Sequence, residues 1–138
     1  MPMQLFVYYV GAMFTARVKD SFSAAHRLRE YDGDCERLHG HNYKVEIAVQ
    51  SNKLDAMGLV MDFRDLKNLL KEVLSELDHQ YLNDLPAFAE INPSAEHIAL
   101  HIFNSLSGKV HAPVELAEII VWENDNTCVS YSRPGQAS

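Results

Sequence analysis

The sequence predicts an α+β domain in which two strands, two helices and two further strands follow one another in the order ββααββ. The chain has 138 residues, 47% of them hydrophobic and 22% charged, which suits one domain with a sizeable core. Apolar residues recur with strand spacing near both ends of the chain and with helical spacing in its middle. No low-complexity stretch, internal repeat or long linker divides the sequence. We therefore expect a single domain over residues 13–138.

The first two strands are predicted from the alternation of side chains. Residues 14–25 alternate loosely, are rich in β-branched and aromatic side chains, and lead to His26. Residues 43–50 alternate more regularly, with Val and Ile on one face. Residues 1–12 are taken as an N-terminal extension of unknown order, and their apolar run is much shorter than the ~20 residues of a membrane span.

The helices and the last two strands follow from capping residues and periodicity. Asp62 precedes a segment with apolar residues at helical spacing, and Ser94 precedes a second such segment. Residues 115–123 and 127–132 alternate again and are predicted as strands, joined by a turn rich in Asn and Asp. Cys128 lies within the last strand and is expected in the core.

Charge and cysteine content restrict the function. Twelve Lys and Arg residues oppose 19 Asp and Glu residues, and the formal net charge of −7 disfavours general binding of nucleic acid. Two cysteines are too few for a disulfide-stapled secreted scaffold, and a chain of this length does not need one. We therefore expect a cytoplasmic protein without nucleic-acid or membrane partners.

Three histidines form a candidate metal site. His39 and His41 flank Gly40 just before the second strand, so an extended chain places both imidazoles on one face. His26 ends the first strand, and an antiparallel hairpin brings it beside the other two. Three histidines leave the fourth tetrahedral position of Zn²⁺ open, as in catalytic zinc sites. The alternative is a pair of ordinary surface histidines. Three of the other four histidines, His97, His101 and His111, are also interpreted as ordinary residues.

Several further residues carry chemistry that the sequence alone leaves open. Cys35 lies four residues before His39 and is a candidate base, a fourth structural zinc ligand or an inert thiol. Asp78 can orient the His79 imidazole, although adjacent side chains need not face each other. Glu123 ends an apolar strand and can bind a guanidine-like ring edge bidentately, or it is an ordinary acid at the end of a strand.

These segments together resemble the family of 6-pyruvoyltetrahydropterin synthase and 6-carboxytetrahydropterin synthase, over about residues 13–132. The motifs that carry the resemblance are Phe22-Ser-Ala-Ala-His26, Cys35-Glu-Arg-Leu-His39-Gly-His41-Asn-Tyr43, Val60-Met-Asp62-Phe63, Leu77-Asp78-His79, Asn92-Pro-Ser94-Ala-Glu96 and Trp122-Glu123. The resemblance implies a tunnelling fold. In that fold, ββααββ subunits with an antiparallel sheet and two helices on one face join into an oligomeric barrel, a hexamer or tetramer with active sites at its interfaces.

The resemblance also implies roles for individual residues. The implied zinc ligands are the three candidate histidines, His26, His39 and His41. Cys35 becomes the base that abstracts a proton, with Asp78 and His79 as its relay partners. Glu123 becomes the anchor of the pterin ring and also a catalytic residue of the proton relay, and Ser94 and Glu96 belong to the substrate pocket.

The C-x3-H-G-H spacing that begins at Cys35 resembles the bacterial carboxy enzymes of queuosine and deazaguanine synthesis, since the animal pyruvoyl synthases have a longer C-x5-H-G-H. The implied reaction converts 7,8-dihydroneopterin triphosphate to 6-carboxy-5,6,7,8-tetrahydropterin, acetaldehyde and triphosphate. The alternatives are the pyruvoyl synthase reaction, which keeps all side-chain carbons, and a non-catalytic zinc-binding module. His97 stands where the family usually has Asn. Arg27, Arg29 and Lys44 are candidates for contact with the triphosphate, and the alternative is that they are ordinary solvated surface residues.

Overall fold

The computed structural model describes residues 7–8, 11–30 and 37–133, and its centre is a five-stranded sheet. The strands in chain order are β1 (Val7–Tyr8), β2 (Phe14–His26), β3 (His39–Ser51), β4 (Lys53–Leu54), β5 (Gln80–Tyr81), β6 (Glu115–Asn124) and β7 (Thr127–Tyr131). The helices are α1 (Phe63–Ser75) and α2 (Ala95–Ser107), with short 3₁₀ helices at Leu82–Asp84 and Pro86–Phe88. The sheet order is β5-β2-β3-β6-β7, and β1 pairs with β4 outside this sheet. The predicted α+β tunnelling fold is confirmed.

A long antiparallel hairpin forms the middle of the sheet. All 13 residues of β2 pair with the 13 residues of β3, from Phe14 opposite Ser51 to His26 opposite His39. Alternate residues along both strands point toward the helices. In β2 the buried residues lie at the histidine end, Phe22, Ala24 and His26, whereas in β3 burial begins at Tyr43 and is continuous from Ile47 to Ser51. The hairpin therefore controls which side chains meet at the histidine end of the sheet.

Both helices pack on one face of the sheet and enclose a single core. Tyr43, Ile47 and Val121 of the sheet are fully buried against Leu66 and Leu70 of α1 and the apolar side of α2. The sequence-predicted caps are present: the Asp62 side chain accepts a hydrogen bond from the Arg64 backbone N–H, and the Ser94 hydroxyl accepts one from the His97 N–H. Both helices have 13 residues, and no helix of the described residues has the length and apolar character needed to cross a bilayer.

Two features differ from the sequence-based expectations, and one strand lies in a segment for which no order was predicted. The sheet is mixed rather than antiparallel, because Gln80 and Tyr81 return alongside β2 in a parallel direction and add a two-residue edge strand. β3 begins at His39, four residues before the predicted start, because backbone pairing with β2 continues through polar side chains that break the apolar pattern. The structure also contains β1 within the predicted N-terminal extension.

Cys128 is exposed, so the expectation that it lies in the core is wrong. Strand alternation is present in β7, where Val129 and Tyr131 face the helices and Cys128 faces the other way. Neither α1 nor α2 covers that side of the sheet. Alternation therefore identified the strand but not which of its two faces is buried.

Among the residues that the structure describes, no further strand pairs with either outer strand of the five-stranded sheet, β5 or β7. On one side β5 covers only Ala24 and Ala25 of β2, and on the other side β7 is the last strand. Open edges of this kind are sites where strands of another chain can add.

Candidate metal centre and substrate cavity

The three histidines predicted as a metal site converge at one end of the β2–β3 hairpin. His26 lies directly opposite His39 across the hairpin, and His41 follows two residues later on the same face of β3. Their imidazole centroids are 4.5 to 5.2 Å apart, and one ligand atom from each lies within 4.8 Å of the other two. The described residues contain no other group of three or more His, Cys, Asp or Glu side chains arranged in this way. The set can hold a metal ion.

Hydrogen bonds orient two of the imidazoles toward a common point. Nδ1 of His26 lies 2.7 Å from the carbonyl oxygen of Pro93, and Nδ1 of His39 lies 2.6 Å from that of Arg37. A carbonyl can only accept, so each Nδ1 carries the proton and donates it, which leaves a lone pair on each Nε2. These Nε2 atoms are 2.9 Å apart. Two lone pairs at this distance repel unless a cation lies with them, which is the donor arrangement that a metal site requires.

Burial favours the neutral, metal-binding form of two of the three imidazoles. His26 is 1% exposed, and desolvation lowers its pKa. Desolvation also lowers the pKa of His41. Below them, Tyr43 is fully buried, stacks on Phe22, and places its hydroxyl 3.2 Å from Nδ1 of His26. Burial raises the pKa of the Tyr43 hydroxyl far above its usual range, so this group adds no negative charge to the site.

Glu123 connects the histidines to a cavity. Its carboxylate Oε1 lies 3.9 Å from Nε2 of His26, and its side chain is 33% exposed. Glu123 lines a cavity of about 240 Å³ together with Ser94 and Glu96 from the start of α2. The three side chains predicted to contact substrate are therefore brought together in one cavity beside the metal centre.

Asp78 and His79 form a hydrogen-bonded pair at the opposite edge of the sheet. The Nδ1 atom of His79 is 3.0 Å from Oδ2 of Asp78, so these adjacent side chains do face each other. Ser23 of β2 fixes the pair at two points, because its N–H donates to Asp78 Oδ1 and its carbonyl accepts from the His79 N–H. The Ser23 N–H and the His79 imidazole both lower the pKa of Asp78, so the carboxylate is charged and can orient the imidazole.

His79 adopts a backbone conformation that few non-glycine residues adopt. Its φ angle is +59°, in the left-handed region, which typically costs about 1–3 kcal/mol and occurs most often at functional sites. The imidazole is exposed and lines a cavity of about 450 Å³ that His41 also lines. Glu123 does not line this cavity. One chain thus presents the His79 pair and the Glu123 cavity on different sides of the three histidines.

Cys35 lies outside the described residues, so its role stays a prediction from the sequence. The other three histidines do not join the metal centre. Nδ1 of His97 lies 2.6 Å from the Asn92 carbonyl oxygen, His101 packs against Phe88, and His111 is exposed.

Sequence reasoning missed the groups that hold the site in place. The carbonyl oxygens of Pro93 and Arg37 orient two histidines, and Tyr43 lies under them. Backbone carbonyls leave no signal in a residue pattern. The Pro93 contact could have been suspected only from its position within the Asn92-to-Glu96 motif.

Comparisons with known proteins agree with this geometry. The family model described as 6-pyruvoyl tetrahydropterin synthase matches residues 15–134. An Archaeoglobus fulgidus protein with a provisional name as a 6-carboxy-5,6,7,8-tetrahydropterin synthase is 44% identical over 92 residues, covering 67% of this chain and 75% of that protein. The human 6-pyruvoyl tetrahydrobiopterin synthase is 38% identical over 125 residues, covering 80% of this chain and 86% of that protein.

A solved structure extends the similarity to the fold. The 6-pyruvoyl tetrahydropterin synthase of Caenorhabditis elegans superposes with a TM-score of 0.79 at 29% identity, covering 88% of this chain and 96% of that one. The family match spans the sheet, both helices and all three histidines. This chain therefore belongs to the 6-pyruvoyl tetrahydropterin synthase family.

Proposed function

We propose that this chain is a zinc-dependent 6-carboxy-5,6,7,8-tetrahydropterin synthase. The reaction consumes 7,8-dihydroneopterin triphosphate and one water molecule and releases 6-carboxy-5,6,7,8-tetrahydropterin, acetaldehyde and triphosphate. The observation that carries the proposal is the convergence of three imidazoles within 4.8 Å beside the half-buried carboxylate of Glu123. Family membership supports a tetrahydropterin synthase, and the sequence supports the carboxy product.

The donor set fits zinc. Neutral imidazole nitrogen is a preferred zinc ligand, and a site with three protein ligands keeps one tetrahedral position open for substrate. We assign His26, His39 and His41 as these ligands. When bound, zinc supplies positive charge that acidifies hydroxyl groups of the substrate side chain and stabilises the negative charge left when a proton is removed.

Glu123 is the proposed anchor for the pterin ring. A carboxylate accepts two parallel hydrogen bonds from the N–H groups of a guanidine-like ring edge, which fixes both position and orientation. Glu123 lies at the junction between the histidines and the cavity that Ser94 and Glu96 line. A ring bound there directs its side chain toward the metal centre.

Cys35 is the proposed base, and Asp78 with His79 is the proposed relay. A thiolate beside a cation has a lowered pKa and can accept the substrate proton. The Asp78 carboxylate holds the His79 imidazole, whose Nε2 is then free of that bond and available to exchange protons. His79 and Glu123 line different cavities of one chain, and we infer that a reaction which uses both brings the His79 pair of one copy to the Glu123 cavity of another.

The choice between carboxy and pyruvoyl products depends on the sequence. The short spacing from Cys35 to His39 favours the carboxy enzymes of queuosine and deazaguanine synthesis. Relatives with both names match the chain, so similarity alone does not separate the two reactions. The pyruvoyl reaction, which eliminates triphosphate and keeps all side-chain carbons, is the second candidate. The queuosine pathway and a cytoplasmic location stay predictions.

The deciding experiment identifies the products. The zinc-loaded full chain is incubated with 7,8-dihydroneopterin triphosphate, the pterin is identified by mass spectrometry, and acetaldehyde is measured by an enzymatic assay. We expect the carboxy pterin and an equal amount of acetaldehyde. A pyruvoyl pterin without acetaldehyde would establish the second candidate. Unchanged substrate with fully zinc-loaded protein would favour a non-catalytic zinc-binding module.

Substitution of a ligand tests the metal centre. His41→Ala should lose zinc on dialysis at low free zinc and should lose turnover, because two imidazoles hold the ion weakly. His111→Ala is the matched control, since this histidine is exposed and distant in sequence from the site. Elemental analysis of both variants is the measurement. Equal zinc content in His41→Ala and the control would show that His41 is not a ligand.

Substitution of Cys35 separates a base from a structural ligand. Cys35→Ala should keep its zinc and its binding of substrate, while turnover falls by about 10² to 10⁴, the usual effect of removing a general base. Zinc content, a substrate-binding titration and the acetaldehyde assay are measured on the same preparation. Loss of zinc together with thermal stability would indicate a structural ligand, and wild-type turnover would exclude any role as the base.

Oligomerisation follows from the open sheet edges and from the separation of His79 and Glu123. We expect the purified chain to form a tetramer or hexamer, with edge strands of one copy pairing with those of the next. Light scattering coupled to gel filtration measures the mass at micromolar concentration. A monomer with full acetaldehyde-forming activity would contradict an active site built at an interface.

A further inference from the structure

We propose that Asn83 and Asn92 are positioning residues for the metal centre. Their side-chain amides continue the hydrogen bonding of β2 beyond its last residue and so hold His26 where it can bind metal. We call this pair the carboxamide clamp. The inference rests on the proposed function only because it takes His26 as a metal ligand. The proposed function gives no role to either Asn83 or Asn92.

Asn83 replaces a strand partner for Arg27. Its Oδ1 accepts a hydrogen bond from the Arg27 N–H at 3.0 Å, and its Nδ2 donates to the Arg27 carbonyl at 3.0 Å. Tyr81 is the parallel partner of Ala25, so Asn83 is reached by moving two residues along both chains. The backbone of residues 82–84 has already turned into a 3₁₀ helix. The Asn83 side chain thus supplies the pair of bonds that a continuing strand would have supplied.

Asn92 repeats the same pattern two residues further on. Its Oδ1 accepts from the Arg29 N–H at 2.7 Å, and its Nδ2 donates to the Arg29 carbonyl at 3.2 Å. An amide side chain is the group suited to this task, because only Asn and Gln carry both an acceptor and a donor at one planar end. Two such pairings on alternate residues fix the backbone after His26 as far as the turn at Arg29 and Glu30.

The Arg29 side chain ties the two halves of the clamp together. Its guanidinium donates to the carbonyl oxygen of Asn83 at 3.1 Å and to that of Ile91 at 3.0 Å. Asn92 binds the backbone of Arg29, and the Arg29 side chain in turn binds the backbone at Asn83 and just before Asn92. Asn83 itself is 9% exposed, so its bonds compete little with water.

The clamp reaches the metal centre through Pro93. This residue follows Asn92 directly, and its carbonyl accepts the hydrogen bond from Nδ1 of His26. The Asn92 carbonyl is bound in turn by Nδ1 of His97 on α2. The Asn92–Pro93 segment is therefore attached to the end of β2 by the clamp and to α2 by His97. Release of the clamp would free the Pro93 carbonyl and the backbone of His26 to move apart.

The experiment removes one donor at a time. Asn83→Asp and Asn92→Asp keep the size and the acceptor of each side chain but place a carboxylate oxygen against a backbone carbonyl. Asn68→Asp, on the exposed side of α1, is the matched control for the added charge. The zinc affinity of each full-length variant is measured by competition with a chromogenic chelator. We expect a loss of about 10- to 100-fold at both clamp positions, as is usual for groups that orient a metal ligand, and none in the control.

A double-mutant cycle separates positioning from general destabilisation. The same substitutions are made in a His26→Ala background, where the residual affinity comes from the other histidines. If the clamp acts through His26, Asn83→Asp and Asn92→Asp cause no further loss of affinity there. The visible absorption of the Co²⁺-loaded proteins provides a second readout, and the clamp variants should differ from wild type while Asn68→Asp does not.

Three results would overturn the inference. They are wild-type zinc affinity in both clamp variants, a loss matched by Asn68→Asp, or an equal loss in the His26→Ala background. If an Asp variant does not fold, Asn83→Ser and Asn92→Ser remove the amide donor without adding charge and enter the same measurements. A wild-type chain that binds no zinc would overturn the proposed metal centre itself. Wild-type binding with unaltered clamp variants would overturn only the clamp.

Discussion

The register of the β2–β3 hairpin is the constraint on which the candidate site depends. Thirteen consecutive backbone pairs place His26 opposite His39 and leave His41 on the same face of the sheet. A slip of one residue in β3 would turn His39 and His41 to the opposite face of the sheet. The same slip would bring Lys44 and Glu46 to the buried face that Tyr43, Val45 and Ile47 occupy. The buried side chains on the helix-facing side, with Tyr43 and Ile47 among them, stabilise the correct register because only that pairing removes them from water.

The site combines a buried interior with a solvent-open rim. His26 and Tyr43 are withdrawn from water and keep their uncharged forms, while Glu123 and the Asp78–His79 pair lie partly or largely in solvent. Coordination favours neutral imidazoles, whereas recognition of a ring edge and transfer of protons favour charged or accessible groups. Buried and solvent-accessible surroundings lie within a few residues of each other at the histidine end of the sheet. His26 and Tyr43 are buried there, while His41 and Glu123 each line a cavity.

The sequence predicted most of the elements and the three histidines that the structure brings together as a group able to hold a metal ion. Asp62 and Ser94 were recognisable as caps because capping uses side chains, and the three histidines were recognisable because strand spacing determines which side chains share a face. β5 was not predictable, since two residues have no periodicity and Gln80 pairs only because the chain returns beside β2. The exposure of Cys128 was not predictable either, because alternation does not tell which face of an edge strand a helix covers.

Residues that act through the backbone were also beyond the sequence pattern. Asn83 lies in a connector with no motif of its own, and its role depends on a parallel register that appears only in three dimensions. Asn92 belongs to a recognisable motif, yet its partner is the backbone of Arg29, 63 residues earlier in the chain. A pattern reports which side chains are present, whereas these interactions depend on which carbonyl and N–H groups the fold leaves unpaired.

The arrangement of His26 and His39 also has a consequence for metal choice in the cell. Backbone carbonyls already hold the Nε2 atoms of the two imidazoles 2.9 Å apart, so metal binding needs little reorganisation. A prearranged set of nitrogen donors favours late transition metals in general. Intrinsic preference in such a set follows the Irving–Williams order, in which Cu²⁺ lies above Zn²⁺. A preference for zinc over copper at these three imidazoles would then depend on coordination geometry and on which metal ions are available, since intrinsic affinity favours copper.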